Sequence, residues 1–310
     1  MESIPRFALE VPLHSYSLQE LAAITRRYPI RIDLYGGFPD SPLNGGRPNL
    51  VLDGLPRGPG CGTHPSEHAV AQARGMFFQA IEAANRQGIG FLVAFTNMFV
   101  EGKELNGENL APVDWLARTG RSCGVRNGVI LNSDRLREYL RWHYADDLRL
   151  VGSCTRYFTP ERIATPLETI PRYLEDAGRY DLVTVTPQDS RREEVLRVLV
   201  ERIPEAYSAI CNAYCADACN SYYHYAAISR KNKKPIRSQA FADILDLTLD
   251  VAVGSTRCPL MTGEIEHLDV AAIAAMQIST GVTRLKLGRG RGAGKLPEVL
   301  EVIERHLSVR

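Results

Sequence analysis

The chain has 310 residues, of which 45% are hydrophobic and 24% are charged, and its formal net charge is +1. This composition is typical of a globular protein with ample material for a core, and the near-zero charge does not favour an extended nucleic-acid footprint. The first ten residues lack the basic and apolar regions of a signal peptide, and no apolar run approaches the roughly 18 residues of a membrane span. We therefore expect a soluble, cytoplasmic protein with no membrane partner.

Short apolar runs alternate with helix-like stretches from residue 30 onward. The apolar runs predict eight strands, at Ile30–Tyr35, Gly90–Thr96, Gly128–Leu131, Leu148–Gly152, Leu182–Thr186, Tyr207–Ile210, Asp250–Gly254 and Thr283–Leu287. Helical spacing of apolar residues predicts helices over Glu67–Arg86, Asp134–Tyr144, Leu167–Ala177, Arg191–Arg202, Asp269–Thr280 and Pro297–Leu307. A Gly- and Pro-rich loop, from about residue 38 to 65, separates the first strand from the first helix.

Eight strand–helix alternations in a chain of this length predict a (β/α)8 barrel of the TIM type, formed as a single domain over residues 1–310. An open doubly wound sheet is the alternative explanation of the alternation. Neither G-x-G-x-x-G after the first strand nor G-x-x-x-x-G-K-[ST] anywhere is present, so the usual nucleotide-binding motifs do not support it. In a barrel, the functional groups gather where the strands end.

Cysteines follow the predicted strand at Tyr207–Ile210 at intervals of four. Cys211, Cys215 and Cys219 would lie near one face of a helix at that spacing, and thiolates are soft ligands that suit an iron–sulfur cluster or zinc. Either site needs a fourth thiol, and Cys258 is the first candidate. Clustered cysteines in a reducing compartment indicate metal binding or catalysis more than disulfides.

Polar residues follow several other predicted strands. Asn97 and Asn132 are candidates for orienting a substrate, although both could be turn residues that hydrogen-bond their own backbone. Asp189 follows the strand Leu182–Thr186 and is a candidate substrate-binding residue. Cys154 is either a reactive or ligating thiol or a small core residue, and we expect Cys123 to serve packing alone.

Three further features could contact a ligand. His224, five residues after Cys219, is either a hydrogen-bonded wall residue or a proton donor. Cys61 and His64, in the long loop, form a C-x-x-H pattern that is weak on its own. Arg289 and Arg291 lie in a glycine-rich stretch directly after the last predicted strand, which indicates a cradle for an anionic group.

Short stretches between about residues 30 and 290 resemble the U32 peptidase-like proteins. The pattern Asn212-x-x-Cys215-x-x-x-Cys219 with His224 is similar to that family's N-x-x-C-x-x-x-C-P…H segment, with Asn220 in place of proline. The stretches at 88–97 and 281–289 are similar to its GI…N and GV…K-x-x-GR segments.

The resemblance implies an iron–sulfur TIM barrel with a [4Fe–4S] cluster held by four cysteines, the last well downstream of the others. Members of the family include proteins of oxygen-independent hydroxylation in ubiquinone synthesis and of RNA, and others are called collagenase-like peptidases. Here the implied ligands are Cys211, Cys215, Cys219 and Cys258. Cys211 lies closer to the pair than is typical of the family, so Cys154 remains an alternative ligand.

These observations lead to a primary hypothesis and two alternatives. The first is a [4Fe–4S]-dependent enzyme for an oxygen-independent redox or oxygen-transfer step on a small aromatic or nucleobase-like molecule. Its partners would be that substrate and an electron donor or partner protein. The second is a non-catalytic iron–sulfur or zinc protein, the electron-carrying or scaffolding half of a complex. The third is a U32-type peptidase, although neither G-x-S-x-G nor H-E-x-x-H is present.

Overall fold

A computed structural model describes residues 6–13, 15–45, 67–159, 165–212, 221–233, 269–288 and 295–308. Eight parallel strands close into a barrel in the order in which they occur along the chain. The strands are β1 Phe7–Pro12, β2 Ile30–Gly36, β3 Gly90–Phe95, β4 Gly128–Leu131, β5 Arg149–Gly152, β6 Leu182–Thr184, β7 Tyr207–Ile210 and β8 Arg284–Lys286. The predicted (β/α)8 TIM-type barrel is confirmed.

Helices follow the strands in alternation. The α-helices of the described residues are α1 Leu18–Arg27, α2 Glu67–Asn85, α3 Gly107–Cys123, α4 Asp134–Tyr144, α5 Pro166–Ala177, α6 Glu193–Arg202, α7 Ser221–Asn232, α8 Val270–Ser279 and α9 Leu296–Ser308. Short 3-10 helices cover Gly102–Glu104, Cys154–Tyr157 and Asp189–Arg191. In the part of the chain that is described, no helix is long and apolar enough to cross a membrane.

The numbering of the predicted strands has to be corrected at the N-terminus. The first strand of the barrel is β1, so Ile30–Tyr35 belongs to the second strand. Because β8 pairs with both β1 and β7, the barrel closes without the predicted strand Asp250–Gly254, which lies outside the described residues. β1 was missed, although Phe7, Leu9 and Val11 alternate with the residues of its other face as in a strand.

Three helices, α1, α3 and α7, were also missed, although the first two carry a local signal. Ser17 and Glu20 form a complete capping box at the start of α1, which is a sequence-level mark of a helix N-terminus. At α3, the Asn106 side chain accepts a hydrogen bond from the Asn109 amide, and Gly124 ends the helix in the left-handed conformation at φ 66°.

The described residues cluster into two compact units. The first draws on Met1–Tyr35, Val151–Cys219 and Cys258–Arg310, and the second on Gly36–Leu150 and Asn220–Arg257. The single-domain assignment stays a prediction.

In the first unit, the strands have one apolar and one polar face. Side chains alternate across a strand, and one face carries only apolar side chains or tyrosine, all buried: Leu9, Val11, Ile32, Leu34, Val183, Tyr207, Ala209 and Leu285. The helices of this unit present apolar faces of their own, such as Val299 and Ile303 of α9. We infer that the helices cover the apolar face and that the polar face lines the barrel interior.

In the second unit, the core is formed by aromatic packing around a buried amide pair. Phe77 of α2 packs edge-on against Phe91 of β3, with ring centroids 5.2 Å apart. Asn85 and Asn127 exchange side-chain hydrogen bonds of 2.9 and 2.7 Å, and the Phe91 amide donates to Asn127 Oδ1 at 2.8 Å. These bonds satisfy buried polar groups that would otherwise destabilise the core.

Candidate functional site

Cys211 lies at the carboxyl end of β7, where sequence analysis placed the first ligand. Its backbone amide donates to the Lys286 carbonyl at 3.0 Å, and its Sγ donates to the same oxygen at 3.3 Å. Burial raises the pKa of this thiol to about 12. Cys211 is therefore a protonated, desolvated thiol at the end of the barrel where TIM-barrel active sites form.

Asn212 follows Cys211 and joins the ends of two neighbouring strands. Its Oδ1 accepts a hydrogen bond from the backbone amide of Gly288, two residues beyond β8. A Cβ added at Gly288 would lie 3.2 Å from that oxygen, so glycine permits the close approach. Asn212 thus links the carboxyl end of β7 to the carboxyl end of β8.

The remaining members of the predicted metal site cannot be placed with Cys211. Among the residues that the structure describes, no group of three His, Cys, Asp or Glu side chains could hold a metal ion. Of the predicted catalytic residues, His224 lies on α7, in its first turn. The other predicted ligands and anion-binding residues lie outside the described residues: Cys61, His64, Cys215, Cys219, Cys258, Arg289 and Arg291. Their roles stay predictions.

Asn97, directly after β3 and its flanking Thr96, is fully buried and joins three segments of the second unit. Its Nδ2 donates to the carbonyls of Pro42 at 2.8 Å, Asn44 at 3.2 Å and Ser229 at 2.8 Å. Its Oδ1 accepts from the Phe99 amide at 2.8 Å. The carboxamide is thus used to anchor the loop after β2 and the last turns of α7.

The same region is held further by close backbone contact and by ion pairs. A Cβ at Gly45 would lie 1.9 Å from the Thr96 carbonyl oxygen, so only glycine allows this loop to meet the end of β3. Lys233, just after α7, pairs with Glu101 at 3.0 Å and with the buried Glu104 at 3.2 Å. These contacts hold the last turn of α7 against the segment that follows β3.

Asp189 is also engaged by neighbouring side chains. Tyr173 donates to Asp189 Oδ2 at 2.9 Å, and Arg192 donates to Oδ1 at 3.2 Å. Desolvation and the nearby carboxylate raise the pKa of Tyr173 well above its usual value. The buried Asp189 carboxylate therefore joins the β6–α6 connection to α5 through Tyr173 and to the start of α6 through Arg192.

The other two predicted residues are more accessible. Asn132 lies just beyond β4 and is half-buried, and Cys154 is half-buried and begins a 3-10 helix after β5. Both occupy strand ends, as predicted, and their catalytic roles remain predictions.

Sequence analysis did not identify the charged residues of the polar strand face. Glu10 of β1 lies directly opposite Lys286 of β8 in the strand register, and Lys286 Nζ hydrogen-bonds Glu10 Oε2. Both side chains are almost completely buried, and Lys286 Nζ lies 4.3 Å from the ring centroid of Tyr35. Tyr35 in turn donates its hydroxyl to the Leu287 carbonyl at 2.6 Å.

A second ion pair lies on the same face, on the neighbouring strand. Asp33 of β2 is opposite Glu10 in the register and pairs with Arg31 at 3.2 Å. Desolvating a charged side chain costs about 5 kcal/mol per ion, and a protein with apolar residues in place of a buried ion pair is often equally stable. The buried charges of Glu10, Asp33 and Lys286 are therefore weak evidence of a stabilising role. Sequence analysis could have identified these charged residues from the alternation of charged with apolar residues in FALEVP and IRIDLYG.

Three buried oxygen atoms on this face have no hydrogen-bond partner among the described residues. They are Oε1 of Glu10, Oγ of Ser208 on β7 and Oγ1 of Thr184 on β6. Ser208 lies opposite Thr184 on one side and Arg284 on the other, so the polar face is continuous from β6 to β2. Buried polar atoms are rarely left unsatisfied, and such atoms indicate a site for water or a ligand.

No protein-family model matches the sequence, and no curated protein is significantly similar to it. Among solved structures, a U32 peptidase is 14% identical, with a TM-score of 0.44, over 92% of this chain and 94% of that chain. L-ribulose 3-epimerase is 12% identical, with a TM-score of 0.41, over 80% and 84%. The IOLI protein with a binding zinc atom is 11% identical, with a TM-score of 0.37, over 81% and 90%. Likeness at this level concerns the fold, which hosts many activities.

Proposed function

We propose that this chain is an enzyme of the U32 peptidase-like class that acts on a small molecule at the carboxyl ends of its barrel strands. We further propose that it holds a [4Fe–4S] cluster through Cys211, Cys215, Cys219 and Cys258. The position of Cys211 carries the proposal. This buried thiol ends β7 beside β8 and begins the segment that contains the next two cysteines.

The chemistry of Cys211 fits a cluster ligand. It is a free cysteine, and its Sγ–H is directed at a backbone carbonyl at the strand end. Cysteine binds iron as the thiolate, so ligation would release the proton that Cys211 now donates to the Lys286 carbonyl. The bond from Gly288 to Asn212 would keep the two strand ends together around the ligand.

When bound, such a cluster supplies electrons or a Lewis-acidic iron for an oxygen-independent redox or oxygen-transfer step on a small aromatic or nucleobase-like substrate. Asn132 and His224 would orient this substrate or donate a proton, and Arg289 and Arg291 would hold an anionic group. Asn97 would act by positioning α7, since its carboxamide is occupied by backbone groups. Reduced thiols are needed throughout, which agrees with a cytoplasmic location.

The test is anaerobic purification followed by iron and sulfide quantitation and visible absorption spectroscopy. We expect stoichiometric iron and sulfide in the native chain and their loss when Cys211, Cys215, Cys219 or Cys258 is replaced by alanine. Cys123→Ala is the matched control, because this thiol lies at the end of α3 and has no assigned role. We expect it to retain the cluster.

The outcomes separate the alternatives. Iron lost in Cys154→Ala and retained in Cys258→Ala would move the fourth ligand to Cys154. Zinc without sulfide would favour a structural site over the redox enzyme. A native chain that contains neither metal under these conditions would refute the proposal.

A further inference from the structure

The hydrogen-bond ladder between β6 and β7 stops directly before Cys211. The ladder is regular up to Val185, whose amide donates to the Ser208 carbonyl at 2.9 Å. Continued in parallel register, the next bond would join the Ile210 amide to the Val185 carbonyl. The Ser190 hydroxyl takes the place of this bond, since it accepts from the Ile210 amide at 3.0 Å and donates to the Val185 carbonyl at 3.4 Å.

A second side chain replaces the following bond of the ladder. The residue in register to donate to the Ile210 carbonyl is Pro187, and proline has no N–H. Gln277 of α8 supplies the missing donor, because its Nε2 donates to the Ile210 carbonyl at 3.1 Å and to the Ser190 carbonyl at 2.8 Å. Ser190 and Gln277 are both completely buried, so water does not compete for these bonds.

The replaced bonds determine which neighbour β7 follows at its end. On the other side of β7 the ladder continues, and the Cys211 amide donates to the Lys286 carbonyl of β8 at 3.0 Å. The strand therefore separates from β6 and stays with β8 at the residue that carries the thiol. Gln277 is retained at a cost, because its Oε1 is buried and accepts from none of the described residues.

From this arrangement we propose that Ser190 and Gln277 are positioning residues for Cys211. They act through the backbone of Ile210, whose N–H and C=O they bind, and they keep the thiol beside β8. The inference rests on the proposed function in one respect, which is that Cys211 is a metal ligand that needs a fixed position. Loss of a group that orients a metal ligand typically weakens metal binding by about 10-fold to 100-fold.

The first readout is the rate at which iodoacetamide alkylates Cys211 in the folded, iron-free full chain, followed peptide by peptide with mass spectrometry. Ser190→Ala and Gln277→Met each leave backbone groups of Ile210 without their partner. Because a lost hydrogen bond changes a local opening equilibrium by about tenfold, we expect Cys211 to react about tenfold faster in both variants than in a control of equal stability.

Asn127→Ala is the matched control. It removes a buried carboxamide that donates to the Leu116 carbonyl at 3.0 Å and to Asn85 Oδ1 at 2.7 Å, both in the second unit. Alkylation is compared at urea concentrations that give all variants the same free energy of unfolding. Any reaction through global unfolding is then equal, and an excess rate at Cys211 reports local opening at the end of β7.

The second readout is the rate of iron release to a chelator from the anaerobically purified chain, which does not require the iron-free chain to fold. We expect release to be about tenfold faster from Ser190→Ala and Gln277→Met than from the native chain. Asn127→Ala should release iron at the native rate.

Two results would overturn the inference. One is alkylation of Cys211 in Ser190→Ala and Gln277→Met at the rate of the Asn127→Ala control. The other is iron release from both variants at the native rate. A native chain without iron would refute the proposed function alone, and the alkylation rates would still decide whether the two side chains hold Cys211 in place.

Discussion

The two units place their polar groups differently. In the first unit, charged side chains lie within the strands, at Glu10, Asp33 and Lys286. In the second unit, β4 is apolar on both faces, and the buried carboxamides of Asn85, Asn97 and Asn127 lie outside the strands with internal hydrogen-bond partners. The one buried charge within a described strand of this unit, Arg149 of β5, donates its Nε to the Arg126 carbonyl at 3.0 Å. A polar group whose bonds are all internal serves architecture, whereas one with open bonding positions is available to a ligand.

The largest effect should come from breaking the ion pair of the first unit. Glu10→Gln leaves the Lys286 ammonium buried without its counter-charge, and we expect a loss of about 4 kcal/mol in the free energy of unfolding. Urea denaturation followed by circular dichroism measures it. The double variant Glu10→Leu/Lys286→Met removes both charges and should recover most of the loss.

An exposed ion pair provides the matched control. Glu82 and Arg86 form an i,i+4 pair on α2, and Glu82→Gln should cost about 0.5 kcal/mol or less. Equal losses in Glu10→Gln and Glu82→Gln would show that the interior pair is as well hydrated as a surface pair. The contrast between the two units would then disappear.

A somewhat smaller effect should follow from Asn97→Ala. The substitution leaves buried carbonyls at Pro42, Asn44 and Ser229 without the donor that joins them, and we expect a loss of about 3 kcal/mol. Hydrogen exchange should also rise in the last turns of α7. Asn106→Ala, which removes the exposed cap of α3, is the comparison and should cost about 1 kcal/mol.

A loss in Asn97→Ala no greater than in Asn106→Ala would contradict the anchoring role. Unchanged hydrogen exchange at α7 would contradict it as well, even if the chain were destabilised.

The smallest effect is a pH dependence in the ion pairs after α7. The hydrogen bond from Lys103, and then that from Lys233, lowers the pKa of Glu101 from 4.5 to about 2. Because the folded pKa lies below the unfolded one, this stabilisation is present above pH 4.5 and is lost as the pH falls toward 2. Salt should weaken it, since Glu101 is exposed.

Thermal unfolding of the native chain and of Glu101→Gln between those pH values tests this effect. The two curves should converge as the pH falls, and the difference at neutral pH should shrink in high salt. A difference that is constant with pH would show that Glu101 contributes no charge effect.

Elements with a local signal were predicted well. Seven of the eight predicted strands are confirmed to within two residues at each end, and α4 has the predicted bounds. The Ser133 side chain caps α4 by accepting from the Leu136 amide, so its start depends on residues close in sequence. β1 escaped detection, although FALEVP alternates a charged with apolar residues in the same way as the predicted strand Ile30–Tyr35.

The site residues show the limit of local reasoning. Asn97 was recognised as a strand-end residue, but its partner Ser229 is 132 positions away, so its anchoring role could not be read from neighbours. Asp189 was predicted to bind a substrate, which stays a prediction, and sequence analysis did not foresee that its carboxylate accepts from Tyr173 and Arg192. The bond from Tyr173 depends on how α5 packs beside β6, whereas Arg192 lies only three residues from Asp189.

The sequence by itself determined the alternation of strands and helices, the helix caps and the clustering of thiols after β7, because these depend on spacings of a few residues. Tertiary structure alone decided that Glu10 meets Lys286, since the two are 276 positions apart and become neighbours only when β8 closes against β1. Pairing of β8 with β1 brings these two charged residues, which are far apart in the sequence, into contact at a buried position.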